Sequence, residues 1–320
     1  MKMSVVIPTY NRLRTLLQAL RSLQEQTLPD FEIIVVDNAA DQEVERMVSE
    51  FNRKARIGAR YISHDSGGNS GARNCGAIEA KGQLLVYTDD DLTFDPEWLS
   101  AYERSFTSHP EMVAAGGCVR PKWEEQPPGW LLAYIGNAKV FPILALMEPS
   151  AHFTLSGEGY FFSCNMAIRR SVFDWTGFHP ELFGSQTVGD GESGLNRDLA
   201  RQGYLIGYVP EAIAYHHIPP SRMTVDYIRK WAWHLGGDQM YRRWWKRKRS
   251  LISLAKEGVI IARQHWRNWL KDYAVRHRQD RAAITIQFQA SLGWCKLRYV
   301  WWMLTDPKVQ TALDMMDFRP

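Results

Sequence analysis

The chain has 320 residues, 45% of them hydrophobic and 23% charged, with a formal net charge of +4. That length suits one large α/β domain with an appendage, and the composition excludes disordered, collagen-like and disulfide-framework classes. Cys75, Cys118, Cys164 and Cys295 are widely spaced without a paired metal-type spacing, so they read as reduced, mostly core thiols. The opening apolar run stops at Pro8, too short for a signal core. No stretch is long and apolar enough to span a bilayer. The expectation is a cytoplasmic protein, with a peripheral position on the inner face of the cell membrane left open.

In chain order, "MSVVIPTYN" (3–11) predicts a strand closed by Pro8, with Asn11 capping a helix over "RLRTLLQALRSLQEQ". "FEIIVVDNA" (31–39) predicts a second buried strand, "DQEVERMVSEF" a helix and "ARYISH" (59–64) a third strand. A glycine-rich turn, "DSGGNSGARNCGAIEAKG", leads through a helix to a fourth strand, "LLVYTDDDL" (84–92). From about residue 110 the pattern loosens, and "RPKWEEQPPGW" (120–130) reads as loop. "GYFFSCNMAIRRSVFDWTGF" restores a strand and a helix. "GDGESGLNRDLARQGY" (189–204) is a turn running into a helix, and "LIGYVPEAIAYHH" a strand. Strands alternating with helices at this spacing predict an α/β fold with a mostly parallel central sheet flanked by helices. Ligands of such sheets sit beyond the carboxyl ends of the strands.

Beyond residue 220 the composition shifts. Nine of the thirteen tryptophans lie there, and "YRRWWKRKR" (241–249) holds six basic residues in nine. Tyr227, Trp231, Leu235 and Trp244 fall near one helical face, and Leu251, Leu254, Gly258, Ile261, Ala262 and Trp269 near another. Two readings stand side by side: interfacial helices on an anionic membrane, or helices packed on the main domain with a basic solvated face. Nucleic acid is the weaker partner, because no recognised module surrounds the basic run.

The acidic turn Asp89-Asp90-Asp91 carries the chemistry. Three carboxylates at a strand end are either solvated or neutralised by a cation. No G-x-G-x-x-G follows the first strand and no G-K-[ST] occurs, which removes dinucleotide and P-loop readings. A hard divalent cation, Mg²⁺ or Mn²⁺, takes one or two carboxylates together with substrate phosphates. A metal-bridged diphosphate is a good leaving group, and transfer to a hydroxyl needs a carboxylate base. Glu192 and Asp190 are candidates, although two acids at a helix start also complement its dipole.

"SVVIPTYNR", "IIVVDNAAD", "GARNCGAIEAKGQLLVYTDDD", "GDGESGLNRDLARQG" and "VPEAIAYHH" occur in this order over residues 1–220. Together they resemble the inverting family-2 glycosyltransferases of the GT-A fold. The resemblance implies a nucleotide-diphosphate sugar donor, most commonly a UDP-sugar, and Mn²⁺ or Mg²⁺ as cofactor. It implies Asp37 as reader of the nucleobase edge, with Pro8, Thr9 and Tyr10 lining the same pocket. Arg73 falls near the base or diphosphate, Asp89 at the ribose or donor sugar, and Asp91 at the metal and diphosphate. His216, six residues after Pro210, matches a histidine that helps hold the metal or diphosphate. Asp90 sits among the donor-binding residues without a family role and is expected to be solvated, pairing with nearby basic groups.

The family's usual Glu-Asp at the acceptor-side helix is altered here. Counting back eleven residues from Gly203 lands on Glu192, preceded by Gly191 and Asp190. Glu192 is the expected base and Asp190 the alternative. Residues 1–220 then form the catalytic domain, and 221–320 a helical, basic, Trp-rich extension for acceptor or membrane contact. The expected acceptor is a surface glycan or lipid-linked precursor. Alternatives are a soluble small molecule or protein acceptor, a noncatalytic nucleotide-sugar-binding scaffold, and a membrane-recruited adaptor without nucleotide affinity.

Overall fold

The structure is a computed structural model, which describes residues 2–64, 68–179, 182–183, 186–187, 191–245 and 251–306. The first half alternates β1 (Met3–Thr9), α1 (Leu13–Leu23), β2 (Phe31–Asp37), α2 (Gln42–Asn52), β3 (Ala59–Ser63), α3 (Gly68–Glu79), β4 (Leu84–Thr88) and β5 (Leu92–Phe94). Then come α4 (Trp98–Ser108), β6 (Met112–Trp123), α5 (Gly129–Ile135), β7 (Val140–Phe141), β8 (Leu146–Met147), β9 (Thr154–Ser156) and β10 (Asn165–Arg169). A two-stranded hairpin, β11 (Leu182–Phe183) with β12 (Gln186–Thr187), precedes α6 (Gly191–Arg201) and β13 (Leu205–Ile218). Three helices follow: α7 (Val225–Trp245), α8 (Leu251–Val275) and α9 (Arg281–Thr305).

The main sheet runs β3-β2-β1-β4-β10-β6-β13-β5. Its β3-β2-β1-β4 half is parallel, while β10 and β5 run against their neighbours. Alternation explains the continuous apolar runs. Val5, Ile7, Ile33, Val35, Leu84 and Val86 face one core, with α1, α2 and α4. Val6, Ile34, Val36, Leu85 and Tyr87 face the other, with α3 and α6. A strand covered on both faces needs apolar residues at every position. Gly76 lets α3 approach this sheet, since a Cβ there would lie 2.3 Å from a Val6 methyl carbon.

Two local expectations are corrected. Asn11 does not cap α1: it takes φ +53°, and the helix begins after Arg12 without a side-chain cap. The stretch after residue 110 is a twelve-residue strand, β6, in the middle of the sheet. Its Ala114, Ala115, Gly116 and Gly117 are too small to give a hydrophobic period.

β13 contains the irregularity that matters most. Its register with β6 passes from Val209↔Gly117 to Ile213↔Cys118, so Pro210-Glu211-Ala212 bulge out of the ladder. Buried Asn165 closes the gap. Its Nδ2 donates to Cys118 O (2.8 Å) and Ala212 O (2.9 Å), and its Oδ1 accepts from Trp98 Nε1 and Tyr102 OH, both at 2.8 Å. Gly117 leaves room for this, because a Cβ there would sit 2.4 Å from Ala212 O.

The C-terminal helices pack on the sheet domain and on one another. Ile228 of α7 and Ile284 of α9 join Leu131, Ile143 and Ile218 in a third cluster. Met240, Leu254, Ile261, Tyr299 and Met303 form a fourth, among α7, α8 and α9. Leu254 and Ile261, read from the sequence as one face of α8, therefore point inward. Among the described residues, no helix is long and apolar enough to cross a membrane.

Candidate active site

β1, β2 and β4 are parallel and in register, so their carboxyl ends open on one edge. β4 ends at Thr88 and releases Asp89, Asp90 and Asp91, after which β5 turns back along β13 with Leu92 opposite His216. The His217 amide then donates to Asp91 O at 2.9 Å. The ladder itself brings His216 to the acidic turn, and the bulge in β13 sets which side chains arrive there.

Asp90 is buried rather than solvated, which corrects the expectation. Thr9 Oγ1 donates to its Oδ2 (2.7 Å) and Arg12 Nη1 to its Oδ1 (3.0 Å). Burial pushes its carboxyl up to about 7, helped by the charge of Asp91 and opposed by Arg12 and Thr9. Asp91 Oδ2 accepts from Arg12 Nη1 (2.9 Å) and Arg222 Nη2 (2.8 Å). Burial opposes its charge, but His216, Arg222 and Arg12 outweigh it and hold the carboxyl well below the usual range.

His216 Nδ1 lies 2.8 Å from Leu144 O, and its Nε2 lies 2.6 Å from Arg222 Nη1. A carbonyl only accepts, so Nδ1 carries a proton and Leu144 fixes the orientation of the ring. Nε2 stands 3.6 Å from Asp91 Oδ1. An imidazole nitrogen oriented by a backbone carbonyl beside a carboxylate fits a divalent cation that draws its remaining ligands from phosphate oxygens. Among the described residues, no group of three His, Cys, Asp or Glu converges to hold a metal without such help.

Asp89 pairs with Arg73, which is buried on α3 with its guanidinium 5.5 Å from the Phe178 ring centroid. Arg73 thus faces the acidic turn, while Glu79 pairs with Arg60. Asp37 stands apart. It is fully buried and accepts from Ala39 N (2.9 Å), Asp41 N (2.7 Å) and Tyr61 OH (3.0 Å), organising the turn after β2. It lines neither of two cavities that open at this edge.

The smaller cavity, about 280 Å³, is walled by Pro8, Thr9, Tyr10, the three aspartates, His216 and Arg222. The larger, about 500 Å³, is walled by Asp89, Tyr160, Ser163, Glu192 and residues of α7. Asp89, Pro142, Ala145 and Trp231 belong to both, which makes them one cleft. Glu192 begins α6; its Oε2 accepts from Ser163 N (2.6 Å) and its Oε1 from Tyr160 OH (3.4 Å). Burial and then the charge of Glu192 raise the Tyr160 phenol far above its ordinary pKa. Asp190 lies outside the described residues.

Sequence reasoning missed Arg12 and Arg222, and also His234 and Asp238, which line the cleft beside the already noted Trp231. Arg12 ends the quoted "SVVIPTYNR" and was open to notice; Arg222 follows a diproline and carries no motif.

Comparison with known proteins bears on this cleft. The family model described as glycosyl transferase family 2 matches residues 4–176. The glucosyl-dolichyl phosphate glucuronosyltransferase of Haloferax volcanii is 28% identical over 130 residues, 40% of this chain and 41% of that one. The poly(ribitol-phosphate) β-N-acetylglucosaminyltransferase TarS of Staphylococcus aureus is 31% identical over 101 residues, 31% of this chain and 18% of that one. This chain thus matches less than half the length of either relative. The mannosyltransferase PcManGT of Pyrobaculum calidifontis, solved in complex with GDP-Man and Mn²⁺, superposes with a TM-score of 0.59 at 17% identity. That match covers 93% of this chain and 87% of the other, and shows a shared GT-A-like fold.

Proposed function

This chain belongs to glycosyl transferase family 2, and from that premise we propose that it moves a sugar from a nucleoside-diphosphate donor, a UDP-sugar in the first instance, to a hydroxyl acceptor with inversion. The observation that carries the reading is the shared cleft. Asp89 and Glu192 line one cavity, and that cavity shares walls with the one holding Asp91, His216 and Arg222.

The chemistry follows from the placement. Arg12 and Arg222, now paired with Asp91, are the charges a diphosphate would recruit. Pro8, Thr9 and Tyr10 form the nucleobase side, and Asp37, buried behind them, holds the neighbouring turn in shape. Asp89, oriented by Arg73, faces the donor sugar. Glu192, held through Ser163 N–H, takes the proton from the acceptor hydroxyl as that oxygen attacks the anomeric carbon. The diphosphate departs from the opposite face with the bonding electron pair. Asp91 and His216 would hold Mn²⁺ or Mg²⁺, which when bound stabilises charge developing on the leaving diphosphate.

The acceptor proposed is a lipid-linked or surface-glycan precursor, reached from the cytoplasmic face of a membrane. The activities named for the Haloferax and Staphylococcus relatives support that choice. Residues 221–320 serve as an acceptor-side extension, supported by the α7 side chains in the larger cavity.

Calorimetric titration with UDP, GDP and dTDP, each with and without Mn²⁺, tests the reading. The expected result is metal-dependent binding of one nucleotide, lost in Asp91→Asn. No binding of any of the three would overturn it and leave the acidic turn as an internally paired structural cluster.

A further inference from the structure

The outward face of α8 holds side chains that the folded chain does not cover. Ile252, Val259, Trp266 and Tyr273 recur every seven residues along it, with Leu270 beside them, each between 47% and 84% exposed. This is the side opposite Leu254 and Ile261, which pack inward. From Ile252 to Tyr273 the stripe is about 30 Å long at 1.5 Å per residue. A soluble surface has no use for five large apolar groups in a line.

The charges on the same side are all of one sign. Lys256, Arg263, Arg267 and Lys271 are exposed along the stripe. The two acids of α8 are turned away from it: Glu257 is buried against Arg243, and Asp272 pairs with Arg229 at 3.5 Å. The sequence immediately before the helix adds Lys246, Arg247, Lys248 and Arg249.

We propose that this face of α8 lies flat on an anionic lipid surface, with the apolar stripe set into the headgroup boundary and the four cations against lipid phosphates. Charge complementarity selects this occupant. A second copy docked two-fold through the same face would set these cations against their own equivalents with no carboxylate between them. Long basic side chains can bury their stems beside the apolar groups and keep their charged ends at the phosphates. The contact lies in the plane of the surface, in keeping with the absence of a spanning helix among the described residues. The proposal deepens the lipid-linked acceptor and rests on that reading for its purpose; binding to lipid is nevertheless measured with no donor or acceptor present.

The test is flotation of the full chain with phosphatidylcholine vesicles containing phosphatidylglycerol, and with phosphatidylcholine vesicles alone. Binding to the anionic vesicles only, weakened by salt, is expected. Each of Lys256→Gln, Arg263→Gln, Arg267→Gln and Lys271→Gln should weaken it about five-fold, at roughly 1 kcal/mol per cation near the surface. The pair Trp266→Ser, Leu270→Ser should weaken it at least about ten-fold, with the circular dichroism spectrum unchanged because both groups lie on the outward face of the helix and outside its buried clusters. Equal binding to both vesicle types, or indifference to all six substitutions, would overturn the proposal. So would absence of vesicle binding together with a concentration-dependent dimer that Trp266→Ser, Leu270→Ser abolishes. Loss of vesicle binding would leave nucleotide titration untouched, so the two readings fail separately.

Discussion

Arg222 holds Asp91 and His216 at once: its Nη2 donates to Asp91 Oδ2 at 2.8 Å and its Nη1 to His216 Nε2 at 2.6 Å. The guanidinium therefore occupies both groups proposed to hold a divalent cation. Arg222→Met should release them. In the absence of nucleotide, Mn²⁺ affinity is expected to rise, because the cation no longer displaces a paired guanidinium. Nucleotide diphosphate affinity is expected to fall by roughly ten- to a hundred-fold, the worth of a charge-assisted hydrogen bond at about 1.5–3 kcal/mol. Mn²⁺ and UDP titrations of the same variant check both signs. A parallel fall in both affinities would show that Arg222 orders the site rather than competing for it.

Glu192, the proposed base, is held by one backbone donor and one phenol, from Ser163 and Tyr160. Glu192→Gln keeps the shape and the acceptor oxygen while removing the basicity. Turnover should drop by about 10²–10⁴-fold, the usual worth of a positioned base, with the donor dissociation constant unchanged. Asp190→Asn, assayed alongside, should retain most of its turnover. The opposite ranking would move the base to Asp190.

Much of this was legible in the sequence because the signal was local. β1, β2 and β4 are mostly apolar runs that reach Pro8, Asp37 and Asp89 at their carboxyl ends, and helices cover both of their faces. What escaped was set at a distance. Asn11 looked like a cap, but the chain there is spent on directing Arg12 towards Asp90 and Asp91, far along the sequence. The same contact shuts Asp90 away from water. β6 was hidden because its centre is built from alanine and glycine, chosen for the close approach of β13 rather than for hydrophobic contrast. In α8 the inward face was readable from Leu254 and Ile261, whereas the exposed stripe became visible only once burial had separated the two sides.

Asn165 spends both amide hydrogens and its carbonyl oxygen on four buried partners across the β13 bulge. Asn165→Leu matches its size but leaves Trp98 Nε1–H, Tyr102 O–H and two backbone carbonyls without it. At about 1–3 kcal/mol for each buried group left unsatisfied, a loss of at least about 3 kcal/mol in urea unfolding is expected. The bulge also positions His216, so metal-dependent nucleotide binding should weaken in the fraction that remains folded.

His179 fastens α6, and with it Glu192, by two bonds: its amide donates to Gly191 O at 3.3 Å and its Nε2 lies 2.8 Å from Asp198 Oδ2. Burial works against the charge of Asp198, but His179, Arg197 and Arg201 prevail and hold its carboxyl below the ordinary value. A carboxyl lowered in the folded state contributes stability above its unfolded pKa of about 3.9, and that contribution is lost as pH falls through the folded value. Asp198→Asn should therefore be less stable than the parent chain at pH near 7, and the gap should close progressively below about pH 4. Urea titrations of both proteins across that range measure it. Because α6 carries Glu192, the same variant should lose turnover at neutral pH while donor affinity holds. A stability gap that persisted unchanged into acid would show that Asp198 acts through packing and not through its charge.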